Sequence, residues 1–258
     1  MPRADSFISG LFSPGASRTT VRNRVLTPLE VASLIGGLGA DAADFYYSSW
    51  VSFLDALQGI NHGFYTWPKV KLYYSVFYAF RASLALGDIC AFHVNRSQYM
   101  VTARPGAMPV SCTDRGTHKA VMMGFQRQTP SHPLVSQQIE LQDAVDWFIE
   151  KRESANYAQA RFSEPTCGSE FDYIIETGLR RTINGYLEEP TFAYVFDPDH
   201  AMIAYPLRAL GLVGDQLVAA GPMRLDGDEQ HFLRASARDK AGSLPVLLAE
   251  MRRLSLIP

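Results

Sequence analysis

Cysteine is scarce in this 258-residue chain: Cys90, Cys112 and Cys167 are odd in number and widely spaced. With no Cys-x-x-Cys and no Cys/His pair at ligand spacing, neither a disulfide framework nor a structural zinc is expected, and a reducing compartment fits best. The six histidines do not cluster and form no His-Glu-x-x-His, so no metal site is expected. Long apolar runs are missing too. Nothing approaches the roughly 20 residues that span a bilayer. Residues 1–24 mix Pro, Gly, Ser and four arginines without the apolar stretch of a signal peptide. The expectation is a cytoplasmic chain with no membrane partner. Charge of one sign is also lacking. The formal net charge is −2, which gives no general drive toward nucleic acid or anionic lipid. Gly-x-Ser-x-Gly and Ser-x-x-Lys are absent, which removes two common nucleophile settings.

What is present is material for a core. Hydrophobic residues make up 47% and charged residues 19%, a globular composition. Residues 1–25 read as a flexible basic arm whose Arg18, Arg22 and Arg24 are within reach of a phosphate backbone. Thr27-Pro28-Leu29-Glu30 has the form of a capping box with proline at the first helical position. The helix it opens is expected to stop at Gly36-Gly37-Leu38-Gly39, and a second, aromatic-rich helix to run over 41–57. Pro68 opens the strongest helical pattern, Lys69–Leu86. Its Val70, Tyr73, Tyr74, Phe77, Phe80 and Leu84 recur at three- and four-residue intervals. Residues 89–94 and 98–102 read as a hairpin around Asn95-Arg96-Ser97. Residues 104–133 read as an ordered loop region with a helix near His118–Phe125.

Beyond Pro133 the spacing predicts a helix over 134–157 with Ile139, Leu141, Val145, Phe148 and Ile149 as its buried stripe. Phe162–Gly168 is the expected boundary. After it come a helix over 170–187 and a hairpin, Thr191–Phe196 and Ala201–Tyr205, turning at Asp197-Pro198-Asp199-His200. Helices near 207–212, 228–239 and 244–254 complete the reading. The expected fold is mostly α: an antiparallel helical bundle with one or two small β-hairpins and a C-terminal helical extension. Its parts are the arm (1–25), a bundle with an inserted hairpin (26–165) and an α-rich subdomain (166–258).

Three stretches carry chemistry by residue type. Gly37-Leu38-Gly39-Ala40-Asp41-Ala42 formally matches a dinucleotide fingerprint. That motif needs a strand before it, and here the preceding segment reads as helix, so the glycines read better as a helix stop and no cofactor is expected. Arg81 lies on the apolar stripe between Phe77 and Leu84. A buried guanidinium needs a partner. Glu150, Glu153 and Asp146 are the candidates for a structural ion pair, and a bound phosphate is the alternative. Arg152, Asn156 and Tyr157 end the 134–157 helix. With Arg81 they would form either an inward basic spot for nucleic acid or a small ligand, or bonds that lock the helices together.

The segment Lys71-Leu-Tyr-Tyr-Ser-Val-Phe-Tyr-Ala-Phe-Arg-Ala-Ser-Leu-Ala-Leu-Gly87 resembles the second core helix of HEPN proteins (higher eukaryote and prokaryote nucleotide-binding). The small prokaryotic members carry Tyr-Tyr-x-x-Phe-x-x-x-Arg-Ala-x-Leu ending in Gly, then Arg-x-x-Ala-Asp-Tyr on a later helix. Arg152-Glu-Ser-Ala-Asn-Tyr157 is similar, with Asn156 for the Asp. The resemblance covers about residues 41–160. It implies a helical bundle, and in active members metal-independent RNA cleavage by Arg-x(4–6)-His in paired copies across a dimer. Arg127-Gln-Thr-Pro-Ser-His132 and Arg224-Leu-Asp-Gly-Asp-Glu-Gln-His231 match by spacing. With 19 Arg and six His in the chain, about one such hit is expected by chance.

The resemblance therefore implies a non-catalytic HEPN-like subunit of an oligomeric prokaryotic defence assembly, antiphage or toxin–antitoxin in type. Its expected partners are other subunits, an ATPase or nuclease among them, and RNA or DNA. The alternatives are a homodimeric endoribonuclease using Arg127 and His132, and a nucleotide or small-molecule sensor.

Overall fold

The computed structural model describes residues 1–112, 116–157, 160–221, 223 and 225–258, without the side chain of Tyr157. The chain is mostly helical, with small antiparallel sheets. It divides into two compact units, Met1–Phe45 with Phe80–Gln128, and Tyr46–Ala79 with Thr129–Pro258.

The first unit begins with α1 (Arg3–Ser9) and α2 (Arg18–Arg22). Residues 1–25 are thus not a loose arm. Ala4, Ile8, Val21 and Leu26 are buried, and Asp41 accepts hydrogen bonds from the backbone N–H of Arg3 and Ala4, both at 2.8 Å. A buried carboxylate there satisfies N–H groups that the start of a helix leaves without partners. Next comes α3 (Pro28–Asn61). The capping box forms as expected: Glu30 accepts from Thr27 N–H at 2.8 Å, and Thr27 Oγ1 accepts from Glu30 N–H at 3.3 Å.

The glycine stop does not form, because α3 runs unbroken through Gly36, Gly37 and Gly39. Packing overrides a propensity penalty of about 1 kcal/mol per glycine. Leu34, Leu38 and Ala42 are buried, and a Cβ on Gly37 would lie 3.2 Å from the backbone nitrogen of Ala4, so glycine admits α1 closely. With helix where the dinucleotide motif needs strand and loop, that motif has no structural counterpart.

The helix α4 (Thr66–Leu86) carries most of the expected stripe, with Val70, Tyr73, Phe77, Phe80 and Leu84 buried and Tyr74 half-buried at its edge. The hairpin β1 (Ile89–Val94) and β2 (Ser97–Thr102) forms as read, and β3 (Val110–Ser111) adds to its edge. Strand alternation gives it two faces. Phe92 and Tyr99 stack on one, 5.7 Å apart. The other carries α5 (Thr117–Gln128), whose Phe125 stacks on Phe80 with centroids 3.8 Å apart.

The second unit holds the rest of α3 and α4, linked by Ser49 Oγ donating to Ser75 O at 2.6 Å. After a 3-10 turn (Pro133–Val135), β4 (Gln138–Ile139) and β5 (Gln142–Asp143) make a tight hairpin through Glu140 and Leu141, both at positive φ. This delays the expected helix, so that α6 spans Ala144–Tyr157. Leu141, expected in the buried stripe, is 92% exposed at the turn. The segment Phe162–Gly168, expected as a boundary, lies inside this unit.

A second 3-10 turn (Ser169–Phe171), α7 (Asp172–Thr177) and α8 (Leu179–Glu188) follow, with Gly178 at φ 87° breaking one expected helix into two. The hairpin expected around Asp197-Pro198 is instead the start of α9 (Pro198–Ala220). Asp197 caps it, its side chain accepting from Asp199 N–H at 3.0 Å, and Pro198 takes the first helical position. The run Ala201–Tyr205 is buried on all sides, so its apolar residues show no helical period. The chain ends with α10 (Gly227–Ser236), the hairpin β6 (Arg238–Asp239) and β7 (Gly242–Ser243), and α11 (Pro245–Arg253). No helix is long and apolar enough to cross a membrane among the described residues.

Glu164 ties the start of α4 to a distant segment. It accepts from Tyr65 N–H at 2.8 Å, Thr66 N–H at 2.7 Å and Thr66 Oγ1 at 2.7 Å. Burial alone would raise its pKa, but these donors outweigh it and hold the carboxyl down at about 2. A depressed pKa contributes stability that is present above the ordinary carboxyl value and lost as pH falls through the folded one. Glu164→Gln is therefore expected to destabilise at pH 7 by about 1 kcal/mol, the scale of a lost helix cap. The gap to wild type should close between the ordinary value of 4.5 and about 2. Paired thermal melts at neutral and acid pH check this, and a gap independent of pH would refute it.

Candidate functional site

Arg81 belongs to the first unit. Its guanidinium lies 4.0 Å from the Phe45 ring centroid, and it lines a small cavity with Asp5, Asp41, Leu38 and Cys90. A planar cation on a ring face is held by the ring quadrupole. Burial, followed by the negative fields of Asp5 and Asp41, pushes the Cys90 thiol far up, so it stays protonated. Arg127 stands in the last turn of α5 and lines an open groove with Met100, Met108 and Gly124.

Arg152 belongs to the second unit. It lies on α6, where Val145 and Phe148 are buried, and its guanidinium is 5.3 Å from the Tyr73 ring centroid. Among the described residues its Nε is buried with no hydrogen-bond partner. Asn156 is one turn further along α6 and half-buried. The Tyr157 side chain and Arg224 lie outside the described residues. His132 precedes the Pro133–Val135 turn, its Nδ1 accepting from Leu134 N–H at 3.2 Å. Burial pushes its imidazole below the ordinary histidine value, so the ring is neutral at pH 7.

Two polar groupings escaped the sequence reading. In the first unit, buried Asp5 accepts from Ser9 Oγ at 2.9 Å and His93 N–H at 3.3 Å. Ser9 Oγ also lies 2.7 Å from His93 O, so its one proton is shared between Asp5 and that carbonyl, and His93 Nε2 lies 3.1 Å from Thr117 Oγ1. Hydroxyl, imidazole and carboxylate thus follow in the order of a nucleophilic relay. The 4.0 Å between His93 Nδ1 and Asp5 Oδ2 is too long for the hydrogen bond a relay needs. The arrangement fastens α1 and α5 to β1. In the second unit, the His200 ring is flanked by Tyr173 at 4.4 Å and Tyr194 at 4.7 Å, and its Nδ1 lies 3.0 Å from Tyr186 Oη. Burial raises the Tyr186 phenol well above its ordinary value, so it stays protonated. Both groupings join residues far apart in sequence, and only the pairs Asp5/Ser9 and Tyr194/His200 stand near enough to have hinted at a contact.

Among the described residues no group of three or more His, Cys, Asp or Glu could hold a metal ion. Comparison with family models, curated proteins and solved structures finds no match.

Proposed function

We propose that this chain is a non-catalytic, HEPN-like helical subunit of a prokaryotic defence assembly, antiphage or toxin–antitoxin in type, working through protein and nucleic-acid contacts in an oligomer. The observation that supports it is the use made of the two arginines of the resembling motifs. Arg81 and Arg152 lie over Phe45 and Tyr73, where they extend the packing of their own helices. A guanidinium over a ring holds its helix in place, which gives both arginines of the resembling motifs a packing use within the fold.

A second reading, the endoribonuclease, is favoured by one observation. The burial-lowered pKa of His132 leaves a neutral imidazole, which serves as a general base once Nδ1 is released from Leu134 N–H. The two readings separate in one assay. Purified protein is incubated with labelled single-stranded RNA and tRNA, beside Arg127→Ala and His132→Ala. The non-catalytic reading expects intact RNA in all three. Cleavage by the wild type that both substitutions abolish would replace it with the nuclease.

A further inference from the structure

The two units differ in charge. The first holds ten Lys and Arg against six Asp and Glu, formally +4; the second holds 14 against 20, formally −6. The near-neutral total hides this. Within the first unit the acids are largely consumed. Asp5 and Asp41 are buried in hydrogen bonds to α1 and β1, Glu30 pairs with Arg24, and Asp44 pairs with Arg3. Asp88 stands at the opposite end of the β1–β2 hairpin from its turn, six residues or about 20 Å away. Asp114 lies outside the described residues.

The turn end is where arginines collect. Arg18 Nε donates to Ser97 Oγ at 3.2 Å, which sets α2 against the turn that carries Arg96. Asn95 fastens the preceding loop, accepting from Gly15 N–H at 3.3 Å and donating to Ala16 O at 3.1 Å. Arg22 follows Arg18 by one helical turn, and Arg18, Arg22 and Arg96 are all exposed. The surface between them is polar: Thr19, Thr20 and Asn23 of α2 are exposed.

We propose that this end of the first unit is a nucleic-acid backbone site, with Arg18, Arg22 and Arg96 contacting successive phosphates of a single strand. The inference deepens the reading above by placing its nucleic-acid contact. The chemistry favours phosphate over an acidic protein. Arg with Ser, Thr and Asn is the side-chain set that meets phosphate oxygens, whereas protein interfaces gather around a buried apolar anchor. Arginine's planar fork suits phosphate oxygens in pairs. Among the described residues no exposed aromatic ring lies beside these arginines to stack a base, so the contact is independent of sequence.

The test is fluorescence anisotropy with labelled 20-nucleotide oligouridylate and the matching oligothymidylate, which lacks the 2′-OH and cannot be cleaved by its attack. Arg18→Ala/Arg22→Ala/Arg96→Ala is compared with Arg161→Ala/Arg181→Ala/Arg234→Ala, which removes equal charge from exposed positions of the second unit. Circular dichroism melts confirm that both variants fold. The wild type should bind both strands. Three phosphate contacts give a log–log salt slope of about −2, so affinity falls roughly 20-fold between 50 and 200 mM salt. The first triple variant should lose at least tenfold at 50 mM and most of its salt slope, while the second keeps both.

No wild-type binding at 50 mM, equal loss in both triples, or displacement of the RNA by polyglutamate at matched charge would each overturn the assignment. Cleavage of the RNA alone, with oligothymidylate binding still lost in the first triple, would sink the non-catalytic reading and leave this site standing.

Discussion

Lys69→Met is expected to destabilise the protein by about 3 kcal/mol, the scale of a buried charge left without its partner. Lys69 Nζ makes a close ion pair with Glu170 Oε1, and the two side chains are only 18% and 7% exposed. The carboxylate is walled in on its other side, because a Cβ on Gly168 would fall 2.1 Å from Glu170 Oε2. Phe171, whose centroid is 5.9 Å from Nζ, completes the enclosure. Methionine fills the space of the lysine stem but cannot neutralise Glu170, which has no room to swing into water. Glu170→Gln alone should cost less, since an amide can stay buried more cheaply than an ion. In the double variant no charge remains, so it should be more stable than the sum of the single effects by 1 kcal/mol or more. Urea denaturation of the four proteins checks this. Additive losses, or a Lys69→Met cost under 1 kcal/mol, would show that water screens the pair.

That ion pair shows why the sequence exposes some parts of this molecule and hides others. The Thr27/Glu30 box, the α4 stripe and the β1–β2 hairpin are written in spacings of two to four residues, and all three are present. Misreadings occur where a local signal has two meanings. Asp197-Pro198 opens a turn or caps a helix with equal local plausibility, and the choice falls to the burial of Ala201–Tyr205. Gly36, Gly37 and Gly39 stop a helix unless something must approach it closely, and the approaching residue is Ala4, 33 positions before Gly37. Leu141 is apolar and in register with a buried stripe, yet sits on a hairpin turn.

The site residues divide in the same way. Placing Arg81 on the apolar stripe of α4 is a matter of counting along one helix. That its ring partner is Phe45, 36 positions away, is not. Glu164 and Glu170 carried no signal in the sequence, because their partners Thr66 and Lys69 are about 100 residues away. The charge difference between the units was hidden for a related reason. Its boundaries cut α3 and α4, so no contiguous stretch of chain contains either unit.

Gly214→Ala is the second large effect, expected to cost about 2–4 kcal/mol despite replacing a poor helix former with the best one. In α9 a Cβ at position 214 would lie 2.2 Å from Tyr46 Oη and 2.6 Å from Leu254 Cδ2. Tyr46 cannot give way cheaply. It is 1% exposed, and its hydroxyl donates to Leu210 O at 2.8 Å, one turn before Gly214 on the same helix. Burial raises its phenol far above the ordinary value, so it remains a donor at every working pH. Moving the ring strains the surrounding core by about 1–3 kcal/mol. It also leaves a buried donor and acceptor apart, at a further 1–3 kcal/mol. The helix-propensity gain of about 1 kcal/mol offsets only part of this.

Gly124→Ala gives the contrast. There the Cβ would meet Met100 Cε at 2.2 Å, the tip of a flexible side chain that can rotate aside. That substitution should cost under 1 kcal/mol. Tyr46→Phe in the Gly214→Ala background should recover part of the loss, because it removes the clashing oxygen. Equilibrium unfolding of the three variants and the double decides it. A Gly214→Ala protein as stable as wild type would mean that Tyr46 and Leu254 yield without strain, and that glycine at 214 is not required by packing.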